Sequence, residues 1–237
     1  MTAAIDKFMN AQAIYWQKQK FQHEEPEKVN RLPFVTISRE YGCCGYQVAL
    51  KITEIFNEEF NPDPLWAAYD RKLFNRIMSD TGLSSSLVDT LTNKARNKLT
   101  DLVQTTFSNF PPQVAVHKKL VETIAMLAMN GNVVIVGRGG NRVTRDIPGG
   151  FHVRLIAPFE VRVEKIEKAM NISKLKATNL VKEKTKERES YMKEFFKLDL
   201  SDPHNYDMVI NDSEFSVENS ARIIIQAMRY RGLLDRE

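Results

Sequence analysis

Four consecutive aliphatic residues, Val133-Val134-Ile135-Val136, stand between Asn130-Gly131-Asn132 and Gly137-Arg138-Gly139-Gly140. A strand with one wet face would alternate apolar and polar residues. A short unbroken run bounded by turn residues instead describes a strand buried on both faces, as in a parallel sheet covered by helices on each side. Phe34-Val35-Thr36-Ile37-Ser38 after Pro33, Phe151 to Ile156 and Met208-Val209-Ile210 supply further strands. Residues 62–69 read as a turn and a short strand or extended piece.

Between these runs the apolar spacing turns helical. Val48, Ile52, Ile55 and Phe56 recur on one face after the first strand. Helices are expected over Arg71 to Ser79, Ser84 to Thr106, about Val114 to Met129, Pro158 to Ala169, Lys174 to Lys197 and Val217 to Arg229, with Pro111-Pro112 and Asn130-Gly131-Asn132 as stops. Strands alternating with helices imply an α/β fold with right-handed crossovers. Residues 5–22 make a loose helical stripe before the polar stretch 22–28. That segment is either an extension packed on the domain or, through Phe8 and Trp16, a homodimer or partner contact.

Bulk properties narrow the function classes. Hydrophobic residues make up 43% and charged residues 27%, enough apolar matter for a sizeable core. A net charge of +4 with a pI of about 8.9 suits an anion binder and does not argue for nucleic acid as a partner. Neither a signal peptide nor a run of 18 apolar residues is visible, so a cytoplasmic protein with no membrane partner is expected. The two cysteines, Cys43 and Cys44, are adjacent and read as free thiols.

The chemistry concentrates where strands end. In a parallel α/β sheet ligands bind at the carboxyl ends of strands, and a loop entering a helix turns backbone N–H groups and the helix dipole toward an anion. Ser38-Arg39-Glu40-Tyr41-Gly42-Cys43-Cys44-Gly45-Tyr46-Gln47 occupies that position. Set against the phosphate-loop pattern G-x-x-x-x-G-K-[ST], Arg39 takes the first glycine and Cys44 the last, Gly45 stands for the lysine and Tyr46 for the hydroxyl. The alternative is a tight strand-to-helix turn with no ligand. A thiol lowered by the helix N-terminus is a further reading for the cysteines. Arg138, at the end of the buried strand, needs a partner, which is either a phosphate gripped bidentately or an internal acid such as Asp70 or Glu40.

Taken together, Val35-Thr36-Ile37-Ser38-Arg39-Glu40-Tyr41-Gly42, Tyr69-Asp70-Arg71-Lys72-Leu73, Val134-Ile135-Val136-Gly137-Arg138-Gly139-Gly140-Asn141, Phe159-Glu160-Val161-Arg162-Val163 and residues 202–211 resemble the cytidylate kinase-like family of P-loop nucleoside monophosphate kinases. The resemblance covers about residues 33 to 230. It implies a three-layer P-loop kinase-type domain over 33–232 after an extension at 1–32, with a helical monophosphate-binding insertion at 65–112 and a lid at 171–200. It further implies transfer from ATP to a CMP-like acceptor, or, with the loop depleted, a nucleotide- or anion-binding module without turnover. In this scheme Ser38, Arg39, Gly42, Cys43, Cys44, Gly45, Tyr46 and Gln47 hold the donor phosphates, and Asp70, Arg71, Gly137 and Arg138 the acceptor. Arg162, Lys184 and Arg188 reach the transferred phosphoryl group. Lid closure over Lys182, Lys184, Lys186 and Arg188 would bring positive charge and exclude water; the other reading of this segment is a solvated charged face. Nucleotides are the expected partners. Mg²⁺ is expected with ATP, but Tyr46 and Val136 stand where family members carry a hydroxyl and an acid, so its ligands are not identifiable and no metal site is assigned.

Overall fold

The computed structural model describes residues 32–79, 97, 99–101, 103–104 and 115–234. The expected N-terminal helix, and most of the helix expected over 84–106, lie outside these residues. Within the latter, residues 97, 99–101 and 103–104 are helical.

Five strands form one parallel sheet: β1 (Phe34–Arg39), β2 (Ala67–Tyr69), β3 (Val133–Val136), β4 (Gly150–Ile156) and β5 (Met208–Asn211). Their order is β2-β3-β1-β4-β5. From β1 the chain runs to the edge at β2, returns inward to β3 beside β1 and then crosses to β4 and β5 on the other side, so β1 is central and the direction of the connections reverses between β1 and β3. Such a reversal opens a crevice at the carboxyl ends of the strands.

Burial on both faces explains the unbroken apolar runs. On β1 and β3, Phe34, Val133 and Ile135 enter one core layer, while Val35, Ile37, Val134 and Val136 enter the other. The first layer packs under α2 (Arg71–Ser79) and α3 (Ala115–Asn130), the second under α1 (Gly45–Glu59) and α7 (Val217–Tyr230). In α1, Val48, Ile52, Ile55 and Phe56 are all buried; each contributes roughly 1.5–3 kcal/mol relative to exposure. Phe56 also stacks on Trp66, with ring centroids 4.2 Å apart. Between β3 and β4 a short helix, α4 (Gly140–Val143), forms where the sequence pattern showed only a glycine-rich turn.

Two further helices complete the fold, α5 (Phe159–Met170) and α6 (Lys174–Phe196). Asn171 ends α5 in the left-handed conformation (φ 51°), and the Ser173 hydroxyl accepts the Lys176 N–H to start α6. Charged as it is, α6 is not a wholly solvated rod. Ala177, Val181, Met192 and Phe196 are buried along one stripe. Lys184 and Arg188 fall on that stripe at i, i+4 steps ahead of Met192 and Phe196. Its middle is cationic because it faces a cleft rather than the core. Among the described residues, no helix is long and apolar enough to cross a membrane.

Candidate phosphate-binding site

A cleft of about 410 Å³ opens at the carboxyl ends of β1 and β3, with α6 along its far wall. Ile37, Ser38, Arg39 and Tyr41 come from β1 and its loop, Val136, Gly137 and Arg138 from the end of β3, and Arg71 from α2. Lys184, Glu187, Arg188 and Tyr191 face them from α6. Five of these are cations and one is a carboxylate. Glu187 is already bonded to the Lys184 ammonium at 2.8 Å, so the cleft keeps a net positive field.

Arg39 sets the centre. Its stem passes Gly45 and its guanidinium lies over Gly137. A Cβ on Gly45 would stand 3.0 Å from Arg39 Cγ, and one on Gly137 (φ 77°) would collide with Arg39 Nη1. Both glycines therefore make room for this one side chain. Burial first, then the neighbouring Arg188 and Arg138, push the Arg39 pKa down to about 10, against the pull of Asp70 and Cys43. Arg188 and Arg138 are lowered as well, each chiefly by burial, with Arg71 adding to the effect on Arg138 and Arg154 and Arg162 to that on Arg188. Three buried guanidiniums thus gather in one cleft, with Asp70 the carboxylate whose charge offsets the burial of Arg39 and Arg138.

Arg138 shows this most directly. It sits at φ 58°, a costly backbone for a residue with a Cβ. Its Nε is buried with no hydrogen-bond partner, and it forms no ion pair with a described residue. Of the two internal acids that could have met it, Asp70 acts on it through its charge alone, and both are hydrogen-bonded elsewhere. Asp70 caps α2, its Oδ1 accepting the N–H groups of Lys72 (2.9 Å) and Leu73 (3.0 Å). Glu40 Oε2 accepts the Ala157 N–H at 3.0 Å and lies 3.3 Å from Arg162 Nε.

Arg162 lies outside the cleft lining. It is buried beneath the loop, donating to Ala157 O (3.0 Å), Tyr41 O (3.4 Å) and Thr185 Oγ1 (3.5 Å). It thus ties the loop to α6, and Gly42 rests against its backbone. Lys184 stands on the cleft rim between Glu183 and Glu187, which raise its pKa through hydrogen bonds. Arg188 reaches in farther, donating to Arg39 O at 3.1 Å with its guanidinium 5.1 Å from the Tyr41 ring centroid.

The rest of the loop forms a second centre. Cys44 precedes α1 and its N–H donates to Asp212 Oδ2 at 3.0 Å. Lys165 of α5 grips the same oxygen at 2.7 Å, and its Nζ is 3.7 Å from Cys44 Sγ. Gly42, Cys43, Cys44, Gly45, Tyr46 and Gln47 do not line the cleft. Both thiols lie above the usual range, opposite to what a helix N-terminus alone would do: burial and the charge of Asp212 raise Cys44, and burial with Asp212 and Glu40 takes Cys43 up to about 12.

Three residues of this region escaped the sequence pattern. Arg154 is buried on β4, donating to Ser38 Oγ (3.2 Å) and Tyr206 Oη (3.4 Å). An arginine inside Phe-His-Val-Arg-Leu-Ile was a legible sign, since a charge enters a buried strand only with partners. Asp212 and Lys165 carried none: they lie far apart in sequence and meet only through the sheet.

The architecture recurs in a solved structure of an uncharacterized protein from Eubacterium ventriosum ATCC 27560. It covers 85% of this chain and all of that one, with a TM-score of 0.64 at 19% identity, which establishes the shared fold. A cytidylate kinase from Methanocaldococcus jannaschii is 33% identical over 128 residues, 52% of this chain and 70% of that protein. Residues 34–214 match the cytidylate kinase-like family, spanning all five strands, the loop at 38–47, the Gly137-Arg138 turn and α6. The chain therefore belongs to the cytidylate kinase-like family.

Proposed function

We propose that this protein is a nucleoside monophosphate kinase that passes the γ-phosphoryl group of ATP to a CMP-like acceptor. The observation that carries this reading is the cluster of Arg39, Arg138 and Arg188 in one cleft with no carboxylate ion-paired to Arg138 among the described residues. Phosphoryl transfer asks a protein mainly for positioning and for positive charge around a developing anion. In this scheme Arg138 and Arg71 grip the acceptor phosphate. Arg39 supplies the charge that Gly45 cannot, and Arg188 and Lys184 approach the transferred group from α6, which acts as the lid. Arg162 positions the loop from below. An acceptor phosphate oxygen attacks the γ-phosphorus, the bond to the β–γ bridging oxygen breaks, and its electron pair leaves with ADP. No covalent enzyme intermediate forms.

The residues present do not make a protein-held Mg²⁺ site. Tyr46 and Val136 occupy the positions of a hydroxyl and an acid, Asp212 is bound to Lys165 and Asp70 caps a helix. Among the described residues no cluster of three His, Cys, Asp or Glu side chains could hold a metal. No step is assigned to the ion.

ADP release in a coupled assay with ATP, Mg²⁺ and each common nucleoside monophosphate tests the proposal. Turnover is expected with CMP. Absence of turnover with every acceptor, alongside ATP binding by calorimetry, would instead support a nucleotide-binding module without catalysis. The Asp212 carboxylate on the loop amide is the feature that favours this second reading.

A further inference from the structure

We infer that Lys165 is the cation of the donor-phosphate loop and that Asp212 holds it in reserve, occupying the loop until a nucleotide phosphate displaces the carboxylate. This rests on the kinase reading and deepens it at the donor side.

Gly45, which stands where a phosphate loop carries its lysine, lies against the Arg39 side chain. On the opposite side of the loop, Lys165 brings an ammonium within 3.7 Å of Cys44 Sγ. It is one-third exposed, whereas Asp212 beside it is nearly fully buried. Asp212 Oδ2 takes two bonds at once, from Cys44 N–H at 3.0 Å and from Lys165 Nζ at 2.7 Å. Those are the two kinds of bond that a phosphate oxygen takes in a phosphate loop, one from a backbone amide at a helix N-terminus and one from a lysine. An internal carboxylate thus reproduces the anion. Burial lowers the Lys165 pKa, but the hydrogen bond and charge of Asp212 outweigh it and raise the pKa overall, so the ammonium is charged and committed. Asp212 follows the last residue of β5, and Asp212 N is bonded to Ile156 O at 2.7 Å. Lys165 Nζ also donates to the Asp212 carbonyl at 3.3 Å, so rotation of the Asp212 side chain frees the Cys44 N–H while the main chain keeps the ammonium in place. Once the carboxylate turns away, Lys165 and the Cys44 amide both face the incoming phosphate.

The test is ATP and pyrophosphate binding by calorimetry in the full chain, without acceptor. Asp212→Asn removes the competing charge and is expected to tighten ATP about three- to tenfold; Lys165→Met is expected to weaken it about tenfold or more. The double variant should lose the gain of Asp212→Asn. The proposal is overturned if Lys165→Met leaves affinity unchanged, if Asp212→Asn weakens ATP as much as Lys165→Met does, or if neither the natural chain nor Asp212→Asn binds ATP. Should Lys165→Met alone fail to fold, Lys165→Gln in the Asp212→Asn background reads the same coupling. Loss of transfer in all variants with this binding pattern kept would sink the kinase reading alone. Loss of the pattern with transfer intact would sink this inference alone.

Discussion

Two cationic centres lie on opposite sides of one loop, and they are built differently. In the cleft, burial lowers the pKa values of Arg39, Arg138 and Arg188, Arg188 and Arg138 lower that of Arg39 further, and the Arg138 Nε has no hydrogen-bond partner among the described residues. Behind the loop, Lys165, Asp212 and the Cys44 amide satisfy one another within 3 Å. The first centre costs stability until an anion arrives, whereas the second contributes stability without one. A site that is poor in internal partners is readied for ligand, and one that supplies its own counter-ion must first give it up.

The sharpest break of this contrast is Arg138→Ala. If the unpaired guanidinium grips the acceptor, kcat/KM should fall roughly 10²–10³-fold, the usual loss for one preorganised donor to a reacting anion, in the coupled ADP assay. A loss below threefold would remove Arg138 from the site. Next in size is the state of the thiols. With Cys43 taken up to about 12 from an ordinary 9.0, its thiolate is scarce at neutral pH. Alkylation by iodoacetamide at pH 8 should be about 100-fold slower in the folded chain than in urea, read by mass spectrometry. Linkage gives the sign for stability. A group whose pKa is raised on folding contributes stability fully below pH 9, and this is lost as pH rises toward 12. Fast labelling of the folded protein would mean that the loop opens and that the paired centre is not closed. Smaller again is Arg39→Ala, expected to weaken ATP about tenfold through loss of one charge-assisted contact. Unchanged affinity would remove Arg39 from the donor site and leave Lys165 as the proposed loop cation.

The two centres were also unequally legible in the sequence. The unbroken run Val133–Val136 and the alternation of strands with helices led to a parallel sheet. The β3 boundaries agree to the residue, because burial on both faces leaves a strong, local signal. The cleft was half legible. Arg138 stood out as a charge ending a buried strand, and Arg39 as the charge in a depleted loop. Arg154 sat equally plainly inside β4 but within a pattern already assigned to a strand. The resemblance singled out Lys184 and Arg188 from a charged helix; what separates them physically from Lys182 and Lys186 is the stripe shared with Met192 and Phe196, a property of helix phase. The paired centre was not legible at all. Cys44, Lys165 and Asp212 come from α1's start, α5 and the end of β5, and strand order alone brings them together. Short α4 escaped for the opposite reason: four residues, the first a glycine, are too few to show a period.

The smallest expected effect separates the centres by sign rather than size. Arg138→Gly relieves a left-handed backbone at φ 58° and removes a buried, unpartnered Nε. Against this stand the lost packing of its stem and the added freedom of the unfolded chain. The balance should favour the variant by about 1 kcal/mol, a rise in Tm of roughly 2–4 °C for a domain of this size. Asp212→Ala should move the other way by about 1–3 kcal/mol, because it strips the carboxylate that receives the Cys44 N–H ahead of α1 and leaves Lys165 without its partner. Calorimetric melts without nucleotide read both. If both variants lose stability, Arg138 is part of the scaffold and the contrast between a readied and a satisfied centre fails. If Arg138→Gly gains while Asp212→Ala loses, a saturating phosphate ligand should reverse the first difference and narrow the second, since the first variant has lost a contact to the anion and the second has lost the carboxylate that competes with it.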